Sequence, residues 1–179
     1  MGEPHHPLPA FLADKLAETT QEFGKYPPIL GTPALRQAIA TWHTRRYPAL
    51  AGQIDETRHI LPLCGSREGL FSAIFSAIAR KPDIKRPVVL FPNPFYFAYA
   101  AAADAARAEA ILLDASPETG FLPDLKAIDE ATLARTVAFY LASPANPQGA
   151  AADHAYLETA IGLAREHDFM LFADECYSE

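Results

Sequence analysis

The sequence has 179 residues, of which 50% are hydrophobic and 21% charged, as expected of a soluble globular domain that can bury a core. Its net charge of −7 argues against sequence-independent nucleic-acid binding, which needs a basic surface. No apolar run approaches the ~18 residues of a membrane span, and no secretory signal begins the chain, so a cytoplasmic location is expected. Cys64 and Cys176 lack metal-ligand spacing; we expect buried thiols in a reducing compartment, and no metal site.

The first part of the chain predicts two helices joined by a rigid loop. Residues 9–19 have a helical pattern, with Pro9 in the first turn, where proline is tolerated. Residues 26–31 contain two prolines and a glycine, a composition typical of a stiff loop. Thr32 is predicted to cap the second helix, with Pro33 at its first position.

From residue 59 onward, strand patterns alternate with helix patterns. Apolar stretches without polar alternation predict strands that are buried on both faces, and the intervening helices then cover a mostly parallel sheet. We therefore predict an α/β fold with three layers, α/β/α. The predicted strands are 59–63, 88–91, 110–113, 137–141 and 169–173, and the later predicted helices include 125–133 and 153–167. Ligands in such folds bind beyond the carboxyl ends of the strands.

The turn after the first predicted strand is a candidate anion site. Gly65, Ser66 and Arg67 lead directly into a helix, whose free N–H groups and positive dipole end attract anions. The Ser66 hydroxyl and the Arg67 charge are suited to the same ligand. An ordinary strand-to-helix turn in which Ser66 caps the helix is the alternative.

Two more strand ends carry residues suited to a flat ligand. Tyr96 stands in an aromatic run after strand 88–91, where its ring is suited either to stacking on a conjugated ligand or to core packing. Asn146 lies between Pro144 and Pro147 after strand 137–141. The two prolines predict a stiff loop that directs one amide toward the ligand side, with a plain surface turn as the alternative.

The last predicted strand ends in Asp174, followed closely by Tyr177. A carboxylate at the end of a buried strand must be paired to remain ionised. The pattern also resembles the acidic strand of nucleotide triphosphatases, but the phosphate loop G-x-x-x-x-G-K-[ST] is absent from the sequence, which excludes that reading. Together, the four strand ends fit a flat, phosphorylated aromatic ligand with a protonatable ring nitrogen.

At this point the motifs resemble those of class I/II aminotransferases, the fold-type I pyridoxal-phosphate enzymes. Residues 143–149 are similar to their S-P-x-N-P-T-G, with Gln148 in place of threonine, and residues 174–177 match D-E-x-Y. Residues 26–36 and the opening Gly2-Glu3-Pro4 are similar to two further family segments. The sequences of residues 65–71, 93–96 and 174–179 most resemble those of succinyldiaminopimelate aminotransferases of lysine biosynthesis.

The resemblance implies the pyridoxal-phosphate-dependent transferase fold and assigns roles at the cofactor ring. Asp174 would pair with the protonated ring nitrogen, and Tyr96 would stack on the ring face. Asn146 and Tyr177 would donate to the phenolic oxygen. Asp174 and Tyr177 are therefore the expected catalytic residues of this chain.

The resemblance also implies contacts around the phosphate and the substrate. The amides of Ser66 and Arg67 would bind the phosphate, and Tyr26 would reach the phosphate of a neighbouring subunit, which implies a homodimer. Gly2 would leave room for the carboxylate of an amino-acid or 2-oxo-acid substrate. The resemblance does not identify the amino donor or acceptor.

Relative to the family, the chain is expected to be incomplete at both ends. Residues 1–30 would be an N-terminal segment from the small domain and dimer contact, and residues 31–179 a partial cofactor-binding domain. The family lysine that holds the cofactor covalently, in an S-x-x-K context, is expected beyond Glu179, so this chain alone is predicted to be inactive. The alternative is a non-catalytic pyridoxal-phosphate-fold module or an inert remnant.

Overall fold

The computed structural model describes residues 6–178, which divide into two compact units. The first unit ends at Cys64, and the second begins at Gly65. The predicted role of Gly2 lies outside the described residues. The functional assignment of residues 1–30 and 31–179 stays a prediction, because the division into compact units does not address it.

The first unit contains two helices, α1 (Phe11–Glu18) and α2 (Pro33–Arg46). The predicted cap is confirmed, because the Thr32 hydroxyl accepts a hydrogen bond from the Leu35 amide at 3.2 Å and Pro33 is the first helical residue. Such a cap stabilises a helix by about 1 kcal/mol.

The predicted strand at residues 59–63 is wrong. The structure has a bend at residue 59 and no regular secondary structure at 60–63, and the His59 amide donates to the Asp55 carbonyl at 2.9 Å. None of the strands within residues 6–178 pairs with this segment. An apolar stretch becomes a strand only when a neighbouring strand takes up its backbone hydrogen bonds, which explains the failure of the prediction.

The second unit alternates helices and strands as predicted. The predicted helix at 125–133 is two shorter pieces, a 3₁₀ turn at Leu125–Ala127 and a short α-helix. The elements in chain order are α3 (Ser66–Arg80), β1 (Val88–Asn93), α4 (Phe97–Ala105), β2 (Glu109–Asp114), α5 (Glu130–Arg135), β3 (Thr136–Ala142), α6 (His154–Glu166) and β4 (Met170–Asp174).

The four strands form one parallel sheet in the order β2-β1-β3-β4. Residues of α3 and α4 form one buried cluster with one face of β1 and β3, and residues of α5 and α6 form a second cluster with the other face. The predicted three layers are therefore confirmed. β1 and β3 are buried along nearly their whole length, whereas β2 alternates between exposed and half-buried residues because it is an edge strand.

Within residues 6–178, no helix combines the length and the apolar composition needed to cross a membrane.

Candidate functional site

A cavity of about 290 Å³ opens at the carboxyl edge of the sheet. It lies beyond the carboxyl ends of β1 and β3. The strand order reverses at this point, because β2 lies on one side of β1 and β3 on the other. Ligands usually bind at such a reversal in parallel sheets. The structure thus brings together five of the predicted site residues. The cavity is lined by Ser66, Leu70, Tyr96, Tyr99, Ala142, Asn146, Asp174, Cys176 and Tyr177.

Asp174, the last residue of β4, is the buried acid of this cavity, with only 9% of its surface exposed. Its Oδ2 accepts a 2.6 Å hydrogen bond from the Tyr99 hydroxyl, and its Oδ1 accepts a longer 3.3 Å bond from the Cys176 amide. Burial and the contact with Asp174 raise the pKa of Tyr99, so its phenol remains a donor. A carboxylate has about four acceptor positions, so Asp174 keeps capacity for a further N–H donor.

Tyr99 and Cys176 are two cavity residues that the sequence reasoning missed. Tyr99 follows Tyr96 by three residues at the start of α4, a spacing that places two side chains on one helix face and was an available signal. Both Cys176 and Cys64 are exposed, so the expectation of buried thiols is wrong. Neither cysteine lies in a helix or a strand, since Cys64 is in a bend and Cys176 in a turn.

The loop after β3 is fixed against the end of β4. The Ser143 amide donates to the Asp174 carbonyl at 3.0 Å, which continues the strand ladder by one bond. Asn146 then lies close enough for its Nδ2 to donate to the Tyr177 hydroxyl at 3.2 Å. Burial, with a smaller effect of the neighbouring Cys176 thiol, raises the pKa of Tyr177. The amide and the phenol are therefore a pair of neutral groups at one side of the cavity.

The N-terminus of α3 supplies backbone donors. The helix begins at Ser66 itself, with no side-chain cap, so the alternative in which Ser66 caps the helix is wrong. Gly65 has φ of 122°, and a Cβ added there would lie 2.9 Å from Oε2 of Glu68. The first amides of a helix have no partner within the helix, so those of Ser66 and Arg67 are suited to an anion.

The side chain of Arg67 contributes to the site indirectly, through its contact with the aromatic side chain of Tyr96. Its Nε donates to the Tyr96 hydroxyl at 2.9 Å, and its guanidinium lies 5.3 Å from the centre of the Phe97 ring. The Arg67 side chain is not among the groups that line the cavity. It holds the half-buried Tyr96 ring instead, while its backbone amide lies at the helix start.

Tyr26 belongs to the first unit, where its side chain is fully exposed. Its contact with a neighbouring subunit stays a prediction.

Comparison with known proteins identifies the family. The family model for aminotransferase class I and II matches residues 2–179. The chain belongs to the class I and II aminotransferase family. A similar relative is the LL-diaminopimelate aminotransferase of Oleidesulfovibrio alaskensis, 34% identical over 181 residues that cover 100% of this chain and 45% of the relative.

Solved aminotransferase structures have the same fold. An aminotransferase from Neisseria meningitidis is 36% identical with a TM-score of 0.90, covering 99% of this chain and 44% of that one. A probable N-succinyldiaminopimelate aminotransferase from Thermus thermophilus is 30% identical with a TM-score of 0.79, covering 97% of this chain and 45% of that one. The chain thus spans less than half the length of these aminotransferases.

Class I and II aminotransferases depend on pyridoxal 5′-phosphate, and the cavity suits this cofactor. Its volume is near the lower end of ligand pockets, which begin at about 300 Å³. A buried carboxylate with a spare acceptor position suits the ring N–H, and the start of α3 suits the phosphate. The donor set is therefore of the kind that a phosphorylated pyridine requires.

We expect Gly65→Ala to weaken cofactor binding, because a backbone φ of 122° is strained for alanine and relief of that strain would shift the start of α3. The control is Gly120→Ala, which also has positive φ, 65°, but has no atom within 4 Å of an added Cβ. Equilibrium dialysis with pyridoxal 5′-phosphate should show at least about tenfold weaker binding for Gly65→Ala alone. The reason is that displaced amides of Ser66 and Arg67 lose their charge-assisted hydrogen bonds to the phosphate. Equal affinities in the two variants would contradict the assignment of the α3 start as the phosphate site.

Proposed function

We propose that this chain is the cofactor-binding part of a pyridoxal-phosphate-dependent aminotransferase, which transfers an amino group between an amino acid and a 2-oxo acid. The observation that carries the proposal is the convergence of Ser66, Tyr96, Asn146, Asp174 and Tyr177 on one cavity. These residues come from α3 and from the ends of three strands, and no packing requirement explains why polar groups of complementary chemistry share one opening.

Each residue has a role in this proposal. When bound, pyridoxal phosphate supplies an electron-accepting ring that takes up the charge left at the substrate Cα. Asp174 keeps a proton on the ring nitrogen, and Tyr99 orients the carboxylate that does so. Asn146 and Tyr177 hydrogen-bond the phenolic oxygen.

The remaining contacts hold the ring in place. Tyr96, which the Arg67 side chain holds, would pack on the ring face. The amides of Ser66 and Arg67 would bind the phosphate at the positive end of α3.

We propose that the amino-acid side of the reaction is diaminopimelate or its N-succinyl derivative, in lysine biosynthesis. The support is that relatives bear the names LL-diaminopimelate aminotransferase and probable N-succinyldiaminopimelate aminotransferase. The predicted role of Gly2 beside the substrate carboxylate belongs to this proposal. Calorimetric titration of the cofactor-loaded chain with both compounds and with aspartate tests it, and tighter binding of aspartate would reject it.

We further propose that the protein works as a homodimer in the cytoplasm. The first unit exposes many large apolar side chains, a feature typical of interaction surfaces. They include Leu8, Phe11, Phe23, Tyr26 and Ile29. The two free, exposed cysteines suit a reducing compartment.

The dimer proposal predicts a mass of twice 19.5 kDa in sedimentation equilibrium at micromolar concentration. If Tyr26 reaches the phosphate of a neighbouring subunit, Tyr26→Phe weakens cofactor binding in the dimer but not in a diluted monomer. A monomer at all concentrations would contradict the proposal.

The chain is proposed to bind the cofactor without turnover when isolated. All five lysines lie within the described residues, and none lines the cavity. Lys15 and Lys25 form ion pairs with Glu18 and Glu22. Lys81 donates to carbonyls at the start of β3 and the end of α6, at the opposite edge of the sheet. A positioned amine is both the covalent anchor and the proton carrier in this chemistry.

Treatment with pyridoxal 5′-phosphate and then borohydride tests this point, since borohydride makes a lysine–cofactor linkage permanent. We expect saturable binding, no stoichiometric labelling of any one lysine by mass spectrometry, and no pyridoxamine phosphate formed from amino donors. Labelling of one lysine together with turnover would contradict the proposal. Absence of any saturable binding would instead favour the inert remnant.

The central role of Asp174 is tested by Asp174→Asn, which keeps the shape but removes the charge that pairs with the ring N–H. We expect cofactor affinity to fall at least about tenfold, as for loss of a charge-assisted hydrogen bond. Asp114→Asn is the matched control, since Asp114 ends β2 at the other side of the sheet, is exposed, and does not line the cavity. Similar affinities in both variants would show that the Asp174 charge is not used.

A further inference from the structure

Tyr140 is a buried tyrosine that lies beneath the cavity without lining it. It belongs to β3 and has no exposed surface. Its hydroxyl donates a 2.7 Å hydrogen bond to the backbone carbonyl of Leu70. Its ring is stacked on the Tyr99 ring, with centroids 4.7 Å apart and planes inclined by 13°.

The hydrogen bond of Tyr140 holds the helix that begins at the cavity. Leu70 is four residues after Ser66, about one turn into α3, and its side chain lines the cavity. A carbonyl oxygen has two lone pairs, so the Leu70 oxygen can accept from Tyr140 as well as from its helical partner. The start of α3 is therefore tied directly to β3.

The ring stack of Tyr140 supports the acid at the other end of the cavity. Tyr99, on which it stacks, donates the 2.6 Å hydrogen bond to Asp174. Phe172 also packs against the Tyr140 ring, at 4.9 Å between centroids. The buried Tyr140 side chain thus contacts both α3 and the Tyr99 phenol that donates to Asp174.

We propose that Tyr140 is a positioning residue that sets the separation between the start of α3 and Asp174. The inference rests on the proposed cofactor site. A rigid ligand with an anionic group at one end and a ring N–H at the other binds well only if its two anchors are correctly spaced, and displacements of about 1 Å in such sites cost large factors. Burial raises the pKa of Tyr140 to about 12, so the phenol keeps its proton at neutral pH.

The test compares Tyr140→Phe with Tyr156→Phe. Tyr140→Phe keeps the ring stack but removes the bond to the Leu70 carbonyl. Tyr156 is matched in chemistry, because its half-buried side chain also donates a hydroxyl hydrogen bond to a carbonyl, that of Pro123 at 2.9 Å, but it lines a different hollow. A purely structural role for Tyr140 predicts that both variants lose similar stability in urea and keep wild-type ligand affinity.

The positioning role predicts a difference in ligand binding. For Tyr140→Phe, affinity for pyridoxine 5′-phosphate should fall about fivefold, the effect of one net hydrogen bond, while affinity for pyridoxine, which lacks the phosphate, changes less than about twofold. Tyr156→Phe should change neither. Unchanged pyridoxine 5′-phosphate affinity in Tyr140→Phe would overturn the inference alone, whereas no binding by the wild-type chain would overturn the proposed function with it.

A double-mutant cycle gives an independent measurement. If Tyr140 and Tyr99 act as one unit, the losses in affinity from Tyr140→Phe and Tyr99→Phe are not additive, as is usual for residues in one contact network. Additive losses would overturn the inference, even if each variant binds more weakly than the wild type.

Discussion

The hydrogen bond from Tyr99 to Asp174 is the interaction on which the site depends. The Asp174 carboxylate is only 9% exposed, and burying a carboxylate costs free energy unless hydrogen-bond donors replace its water. Among the described residues, the Tyr99 hydroxyl at 2.6 Å is its closest donor. Because Tyr99 is itself buried, its hydroxyl donates without competition from water.

The parallel sheet explains how distant parts of the chain reach this pair. Carboxyl ends of parallel strands meet at one edge, so Asp174 at the end of β4 and Asn146 after β3 become neighbours although 28 positions separate them in the sequence. The helix α3 meets the same edge and presents its positive end there. This arrangement agrees with membership of the aminotransferase family, because α/β folds with parallel sheets bind ligands at their strand ends.

The strands of the second unit were predictable because β1 and β3 are buried on both faces and therefore apolar throughout. The segment at 59–63 has the same local composition, yet it is not a strand, because pairing is decided by neighbours that local composition does not specify. Burial was similarly misjudged for Cys64 and Cys176, which lie beside the elements rather than inside them.

For the candidate site, residue types at strand ends were sufficient to predict which side chains gather, and five of them line one cavity. The supporting residues do not lie at strand ends: the sequence signal for Tyr99 was its three-residue spacing from Tyr96, and Tyr140 had no such signal. Tyr99 and Tyr140 are aromatic residues within apolar elements, and their sequence context is that of ordinary core residues. Their hydrogen bonds depend on where each hydroxyl points, which is set by the packing of α3 and α4 on the sheet.

The most direct test of this account is the protonation state of the cofactor ring. Pyridoxal 5′-phosphate labelled with ¹⁵N in the ring would be bound to the chain and its nitrogen chemical shift followed by NMR as the pH is raised. The account predicts a protonated-nitrogen shift that persists to higher pH than in the free cofactor, and that is lost in Asp174→Asn. A bound cofactor whose ring nitrogen titrates as it does in water, in wild type and variant alike, would contradict it.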